Sequence, residues 1–325
     1  MENGGSSEID GINGQRLAMA LMAFAPPMRP AKAFSFHAAP AESNAVTYYA
    51  DVGSWNMPFK ILRSSSAPKP VLMLVHGLGL HPASFRGIAA HLLKVCDLIL
   101  VDYSGFSARP CWPHGGASLR VLAHAMMRIP AALGLTKINI GGSSLGGGLA
   151  MIAAVDFPEH IDRIVLFNPA IFPRPLPSFY KIVCVPILGQ LVMRFIPPRH
   201  LVCGVTTIGY VNPSHVDHEL VQMYHDNMKP PANRLRVMDL IRQLPVREVE
   251  VRSFLEHTGK LPQPVLLIWG EQDRLLASDT GRRLSQALPH NEFHSFADLS
   301  HLPHEESPDR IGPIVAKFIA ASRSR

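Results

Sequence analysis

The chain has 325 residues, of which 47% are hydrophobic and 17% charged, with a formal net charge of +6. That is ample material for a large core in one domain plus an insertion, or in two domains. The positive excess is spread out: its densest stretch, Arg234 to Arg252, is interleaved with Asp239, Glu248 and Glu250 and reads as a solvated helix face, not a nucleic-acid surface. No apolar run is long enough to span a bilayer. The four cysteines, Cys96, Cys111, Cys184 and Cys203, show no paired metal spacing and no dense disulfide framework. They read as reduced, mostly buried thiols, and a Cys184–Cys203 bridge needs an oxidising compartment.

In chain order, residues 1–45 come first as an arm, disordered or loosely docked. Leu17 to Ala25 is a short apolar run that partly resembles a secretory signal, but Glu8 and Asp10 precede it. The chain is therefore read as cytoplasmic, with export as the alternative. Residues 46–170 begin with a strand pair, Tyr48–Ala50 and Phe59–Leu62, joined through Gly53 to Asn56. Pro70 to Val75 is an apolar strand ending at His76-Gly77, Phe85 to Val95 has helical spacing, and Leu98 to Val101 is the next strand, ending at Asp102. A helix over Leu119–Leu133, a strand over Lys137–Ile140 and another over Ile164–Phe167 follow. Short apolar strands alternating with helices predict a mostly parallel twisted sheet covered on both faces, an α/β fold.

From 171 to 261 the alternation breaks into a Pro-rich, irregular insertion with helices at Pro186–Phe195 and Glu219–Met228, read as a helical cap between late strands. Residues 262–325 resume the core with strands at Val265–Trp269 and Glu292–Phe296. A closing helix, Ile311–Ala321, carries Pro313 in its first turn.

The chemistry centres on Gly141-Gly142-Ser143-Ser144-Leu145-Gly146-Gly147. Gly-x-Ser-x-Gly fits in one register, Gly142, Ser144, Gly146, between a strand and a small-residue helix. Such a turn puts a hydroxyl at a helix N-terminus, where backbone N–H groups favour developing negative charge. A hydroxyl needs a base, and the base needs a group that fixes its tautomer. Asp273 closes the strand Val265–Trp269 and His301 lies in the loop after Glu292–Phe296, so Ser144, Asp273 and His301 share the carboxyl edge of the sheet. Asp298 is the backup acid and His304 reads as exposed. His76 anchors a loop and Asp102 holds a turn. Met126, Met127 and Met151 are core filler. Phe172, Phe179, Tyr180, Phe195 and Met223 either line a substrate pocket or pack the insertion. His215, His218 and His225 lack the spacing of a metal site.

These landmarks, with His76-Gly77-Leu78-Gly79, Asp102-Tyr103-Ser104-Gly105-Phe106, Trp269 to Asp273 and His301-Leu302-Pro303, resemble the α/β-hydrolase fold superfamily, in its capped serine hydrolase group, over roughly Tyr48 to Ala321. Ser107 and Arg109 depart from the usual Gly and Ser of that loop, and Ser144 in place of an aspartate argues against epoxide hydrolase and dehalogenase chemistry. The resemblance implies a Ser144–His301–Asp273 triad, an oxyanion hole from the backbone N–H groups of Leu78 and Leu145, no cofactor and no metal. It implies a small-molecule, ester-like substrate of fairly apolar character, as in a carboxylesterase or lipase. Carbon–carbon bond or lactone hydrolysis and a ligand-receptor role are the alternatives. The sequence sets no oligomeric state.

Overall fold

A computed structural model describes residues 47–51, 56–64, 68–103, 118–171, 178–244, 256–277 and 279–321. Ser107, Arg109, Cys111, Phe172 and the N-terminal arm lie outside the described residues.

Strand β1 (Thr47–Asp51) pairs antiparallel with β2 (Asn56–Leu62), which pairs antiparallel with β4 (Asp97–Val101). The remaining neighbours are parallel: β3 (Val71–Val75), β5 (Ile138–Ser143), β6 (Ile161–Phe167), β7 (Val265–Gly270) and β8 (Asn291–Phe296). Among the described residues the sheet has eight strands in the order β1-β2-β4-β3-β5-β6-β7-β8. The chain leaves β3 toward β4 and then returns to lay β5 on the other side. Beyond the carboxyl ends of β3 and β5 this reversal opens a crevice, the usual ligand position in such sheets.

Strand alternation sends Leu72 and Leu74 into one core layer, with Leu98, Leu100, Val165, Phe167, Leu266 and Ile268. Helices α1 (Arg86–Leu92) and α11 (Pro308–Ala320) cover that face through Ile88, Leu92, Ile311, Val315 and Phe318, and α9 (Asp279–Ala287) lies between β7 and β8 in the chain. Helices α2 (Leu119–Ala132) and α3 (Leu145–Asp156) pack on each other, with Met126 and Met151 fully buried and Met127 nearly so, as core filler should be. Ser118 caps α2 by accepting from Val121 N. The closing helix begins at Pro308, three residues earlier than expected, so Pro313 sits in its second turn, inside the helix.

Between β6 and β7 the chain is far more regular than its proline content suggests. It forms α4 (Ser178–Cys184), α5 (Leu188–Phe195), α6 (Pro198–Gly209), α7 (His218–Met228) and α8 (Pro231–Gln243). Pro198 and Pro231 occupy the first helical position, where a missing N–H costs nothing, so they start helices that density of proline alone seemed to forbid. Asp217 caps α7 by accepting from Glu219 N and Leu220 N. The insert has its own core, Val183, Met193, Val202, Leu220, Tyr224 and Ile241, into which Leu80 and Leu302 project from core loops.

Arg234 corrects the expectation of a solvated basic face. Its side chain is buried, donating to the carbonyls of Met193 and Arg194 at the end of α5 and of Met228 and Lys229 at the end of α7. One guanidinium thus satisfies the orphan carbonyls of two helix ends. Cys96 is buried, but Cys184 is half-buried and Cys203 exposed, and all three are free thiols. Aspartate 239 carries a raised carboxyl pKa through burial, so this stretch is only partly open to water.

Candidate active site

Ser144 stands between β5 and α3 with φ +51° and ψ −121°, a backbone state that side chains rarely adopt. The surroundings force it. A Cβ on Gly142 would lie 2.5 Å from the Gly146 carbonyl oxygen, and one on Gly146 would lie 2.1 Å from that of Val75. Both positions therefore have room only for hydrogen. Ser144 N donates to Phe167 O (3.0 Å), while Gly148 N and Ala170 N donate to Ser144 O (3.1 and 2.9 Å). The turn is locked to both neighbouring elements, and α3 starts at the next residue, Leu145.

Asp273 and His301 meet. His301 Nδ1 lies 2.7 Å from Asp273 Oδ2. An ionised carboxylate only accepts, so Nδ1 carries the proton. Asp273 is buried and fully saturated: Asn168 Nδ2 donates to Oδ2 (2.7 Å), and Leu275 N and Leu276 N donate to Oδ1 (2.7 and 2.8 Å). Burial alone would raise its pKa, but the His301 ring and these donors outweigh it and hold the carboxyl below its usual value. The capping of the following turn and the contact with His301 are thus two uses of one side chain. Asp298, the backup acid of the sequence reading, instead pairs with Arg310 at 2.6 Å, with its side chain 63% exposed.

The loop after β3 completes this edge. Leu80 N donates to Gly77 O (3.1 Å), His76 Nδ1 lies 2.8 Å from the same oxygen, and His76 stacks on Tyr103 at 4.6 Å. His76 Nε2 also lies 3.5 Å from Asp102 Oδ1, so His76 does anchor this loop; the turn expected at Asp102 runs into residues outside those described. Gly77 sits against Ser144: a Cβ there would be 3.3 Å from Ser144 Cβ. Ser144, His301, Leu78 and Leu145 all line one cavity of about 460 Å³. Its other walls are mostly aliphatic, drawn from the core (Leu275, Leu276) and from the insert (Met193, Val202, Val237, Ile241). Phe179 and Tyr180 line it too; Phe195 points to solvent.

His304 is a correction: it is fully buried, not exposed. Pro303 starts a short helix, α10 (Pro303–Glu306), that turns the side chain inward between Phe85 and Phe167, at 5.1 and 4.8 Å. Its Nε2 lies 2.9 Å from Ser84 Oγ. Burial, with His301 nearby, lowers its pKa to about 3, so the ring is neutral. Beside it Glu305 accepts from Ser84 Oγ, from Tyr224 OH (2.7 Å) and from Tyr210 OH (2.6 Å), while Glu306 accepts from Val211 N, Asn212 N and Ser300 N. These carboxylates fasten the His301 loop to the insert. The sequence reading missed Asn168, Glu305, Tyr210 and Tyr224. Asn168 left a signal, an Asn-Pro step at the end of a strand, and it adopts φ +39°. No group of three or more His, Cys, Asp or Glu that could hold a metal occurs among the described residues.

Sheet order, strand-to-helix serine turn and this edge together define the α/β-hydrolase fold. A family model for the alpha/beta hydrolase fold matches residues 70–183, and the chain has that fold. Among curated proteins it is similar to a 2-hydroxy-6-oxononadienedioate/2-hydroxy-6-oxononatrienedioate hydrolase of Paraburkholderia phymatum, 25% identical over 262 residues, covering 78% of this chain and 88% of that protein. Among solved structures it resembles the enol-lactonase from Burkholderia xenovorans LB400 (TM-score 0.71, 18% identity, 84% of this chain and 100% of that one). It also resembles a lipase candidate from Acinetobacter baumannii AYE (TM-score 0.70, 22% identity, 85% and 91%).

Proposed function

We propose that the chain is a serine hydrolase that cleaves a carboxylic ester of fairly apolar character through an acyl-enzyme. The observation that carries this reading is the buried Asp273–His301 pair opening on the same cavity as the strained Ser144. His301 Nε2 takes the Ser144 hydroxyl proton as Oγ attacks the carbonyl carbon. The oxyanion is held by the backbone N–H groups of Leu145 and Leu78, each donor worth about 3 kcal/mol of barrier. Collapse expels the alcohol, which leaves with the proton from His301. Water then gives a proton to His301 as it attacks the acyl carbon, and Ser144 is restored. Asp273 keeps the tautomer and stabilises the imidazolium. Residues 171–261 act as the cap that supplies most of the apolar wall.

The lining argues for an uncharged substrate. No Lys, Arg, Asp or Glu lines the cavity among the described residues; its polar side chains are Ser144, Tyr180, His200 and His301. The relative from Paraburkholderia is named for a dioate, with two carboxylates, and burying such charges without cations to pair them is costly. An ester or lactone with aliphatic substituents suits these walls. The test is a series of p-nitrophenyl esters set beside a 2-hydroxy-6-oxo-dienedioate. The expected result is a kcat/KM that rises with acyl length, by up to about fourfold per buried methylene, until the cavity fills. Turnover of the diacid without turnover of the esters would move the reading to carbon–carbon bond hydrolysis.

A further inference from the structure

Seven large apolar side chains are exposed among the described residues, and six of them lie on one helix hairpin, α4, α5 and the turn between them. They are Ile182, Val185, Ile187, Leu188, Leu191 and Phe195. At the tip, Ile187 has φ +63°, a strained state for a β-branched residue, and it is 71% exposed; Phe195 is 73% exposed. The same helices turn their other faces inward: Phe179, Tyr180 and Met193 line the cavity. Apolar side chains gathered on the outer side of such a hairpin mark an interaction surface.

Charge identifies the occupant. From residue 164 to residue 216 the sequence contains no Asp or Glu, but it holds Arg174, Lys181, Arg194 and Arg199. Lys181, Arg194 and Arg199 are exposed, and none makes an ion pair among the described residues. A second copy seated symmetrically on this face would bring a cationic rim against an identical cationic rim. An anionic lipid surface matches both parts at once: acyl chains for the aliphatic tip and acidic headgroups for the rim.

We infer that the α4–α5 hairpin docks on an anionic phospholipid surface, with Ile187, Leu191 and Phe195 entering the acyl boundary and Lys181, Arg194 and Arg199 meeting headgroup oxygens. Docking rests on this outer surface alone and is independent of the hydrolase reading.

The experiment is co-sedimentation of the full chain with vesicles of phosphatidylcholine containing or lacking phosphatidylglycerol. Binding is expected on the mixed vesicles and is expected to weaken with salt. Leu191→Asp with Phe195→Asp should lower partitioning at least tenfold. Lys181→Gln, Arg194→Gln and Arg199→Gln together should lower it by about a hundredfold on anionic vesicles, at about fivefold per charge. Circular dichroism and turnover of a soluble short ester should stay unchanged in both variants, since none of these side chains lies in the proposed relay. No sedimentation with either vesicle overturns the inference, as does equal binding to both, or binding that survives the substitutions. A dimer in light scattering that Leu191→Asp with Phe195→Asp dissolves, without vesicle binding, overturns it in favour of a second copy.

Discussion

At the scale of single residues, the site is held by side chains that do no chemistry. Asn168 is the main one. It donates to Asp273 Oδ2 and accepts from Gly270 N (2.9 Å), so it spans the ends of β6 and β7 and fixes the carboxylate between them. Asn168→Ala strands a buried Gly270 N–H and removes one of the four contacts that hold the Asp273 carboxylate. The expected loss is about 1–3 kcal/mol of stability by urea denaturation. A fall in kcat with KM nearly constant should accompany it, because in the proposed relay Asp273 aligns the base without touching substrate. Unchanged kcat would show that Leu275 N and Leu276 N suffice. The sequence offered Ser144, Asp273 and His301 because each type and order is constrained. It concealed Asn168 because an Asn after a strand also suits any ordinary turn.

At the scale of elements, the serine turn works by backbone contact. Gly142 and Gly146 are pressed against carbonyls of the turn and of β3, so the β5–α3 junction has no adjustable side chain between its parts. Gly146→Ala would put a methyl 2.1 Å from Val75 O and 2.4 Å from His76 O, and neither backbone oxygen can rotate away. The expected outcome is loss of soluble protein, or a fall in melting temperature of several degrees with activity lost in whatever folds. Gly204→Ala, where nothing lies within 4 Å of the added carbon, is the control and should be tolerated. Strands and core helices were legible in the sequence because their apolar periods are clean. The helices of the insert were less so. Proline density makes the insert read as irregular, whereas Pro198 and Pro231 in fact open helices. Buried Arg234 is hidden from the sequence because a charged residue on a helix is usually solvated; here four carbonyls at two helix ends take up its donors.

At the scale of the whole molecule, buried titratable groups set how stability responds to acid. Burial, with His301 nearby, holds His304 at about 3, and burial holds His81 at about 4 against the pull of Asp102. Both folded values lie below the ordinary value near 6.5, so the stability these rings allow is complete above about pH 6.5. As pH falls below that, the unfolded chain takes up protons the folded chain refuses. Stability then drops by up to about 1.4 kcal/mol per pH unit for each ring, down to about pH 4 for His81 and about pH 3 for His304. Glu305 opposes this: burial raises its pKa against three hydroxyl donors, so protonation relieves a cost as pH falls toward the usual carboxylate range. Urea denaturation at pH 7.5 and 5.5 should show lower stability at the acid value, and His304→Gln should shrink that difference while lowering both baselines. An unaltered difference would mean that His304 titrates alike in both states. In the sequence His304 reads as a surface residue because nothing local marks its burial. The Phe85 and Phe167 rings that enclose it come from distant parts of the chain.

The central claim is that Ser144 is the nucleophile activated by His301 over an apolar cavity. Labelling with a fluorophosphonate, read by intact mass and peptide mapping, tests it most directly. One adduct on Ser144 is expected, absent in Ser144→Ala and formed at least a hundredfold more slowly in His301→Ala. A folded protein that stays unlabelled, or an adduct that persists in Ser144→Ala, would contradict it.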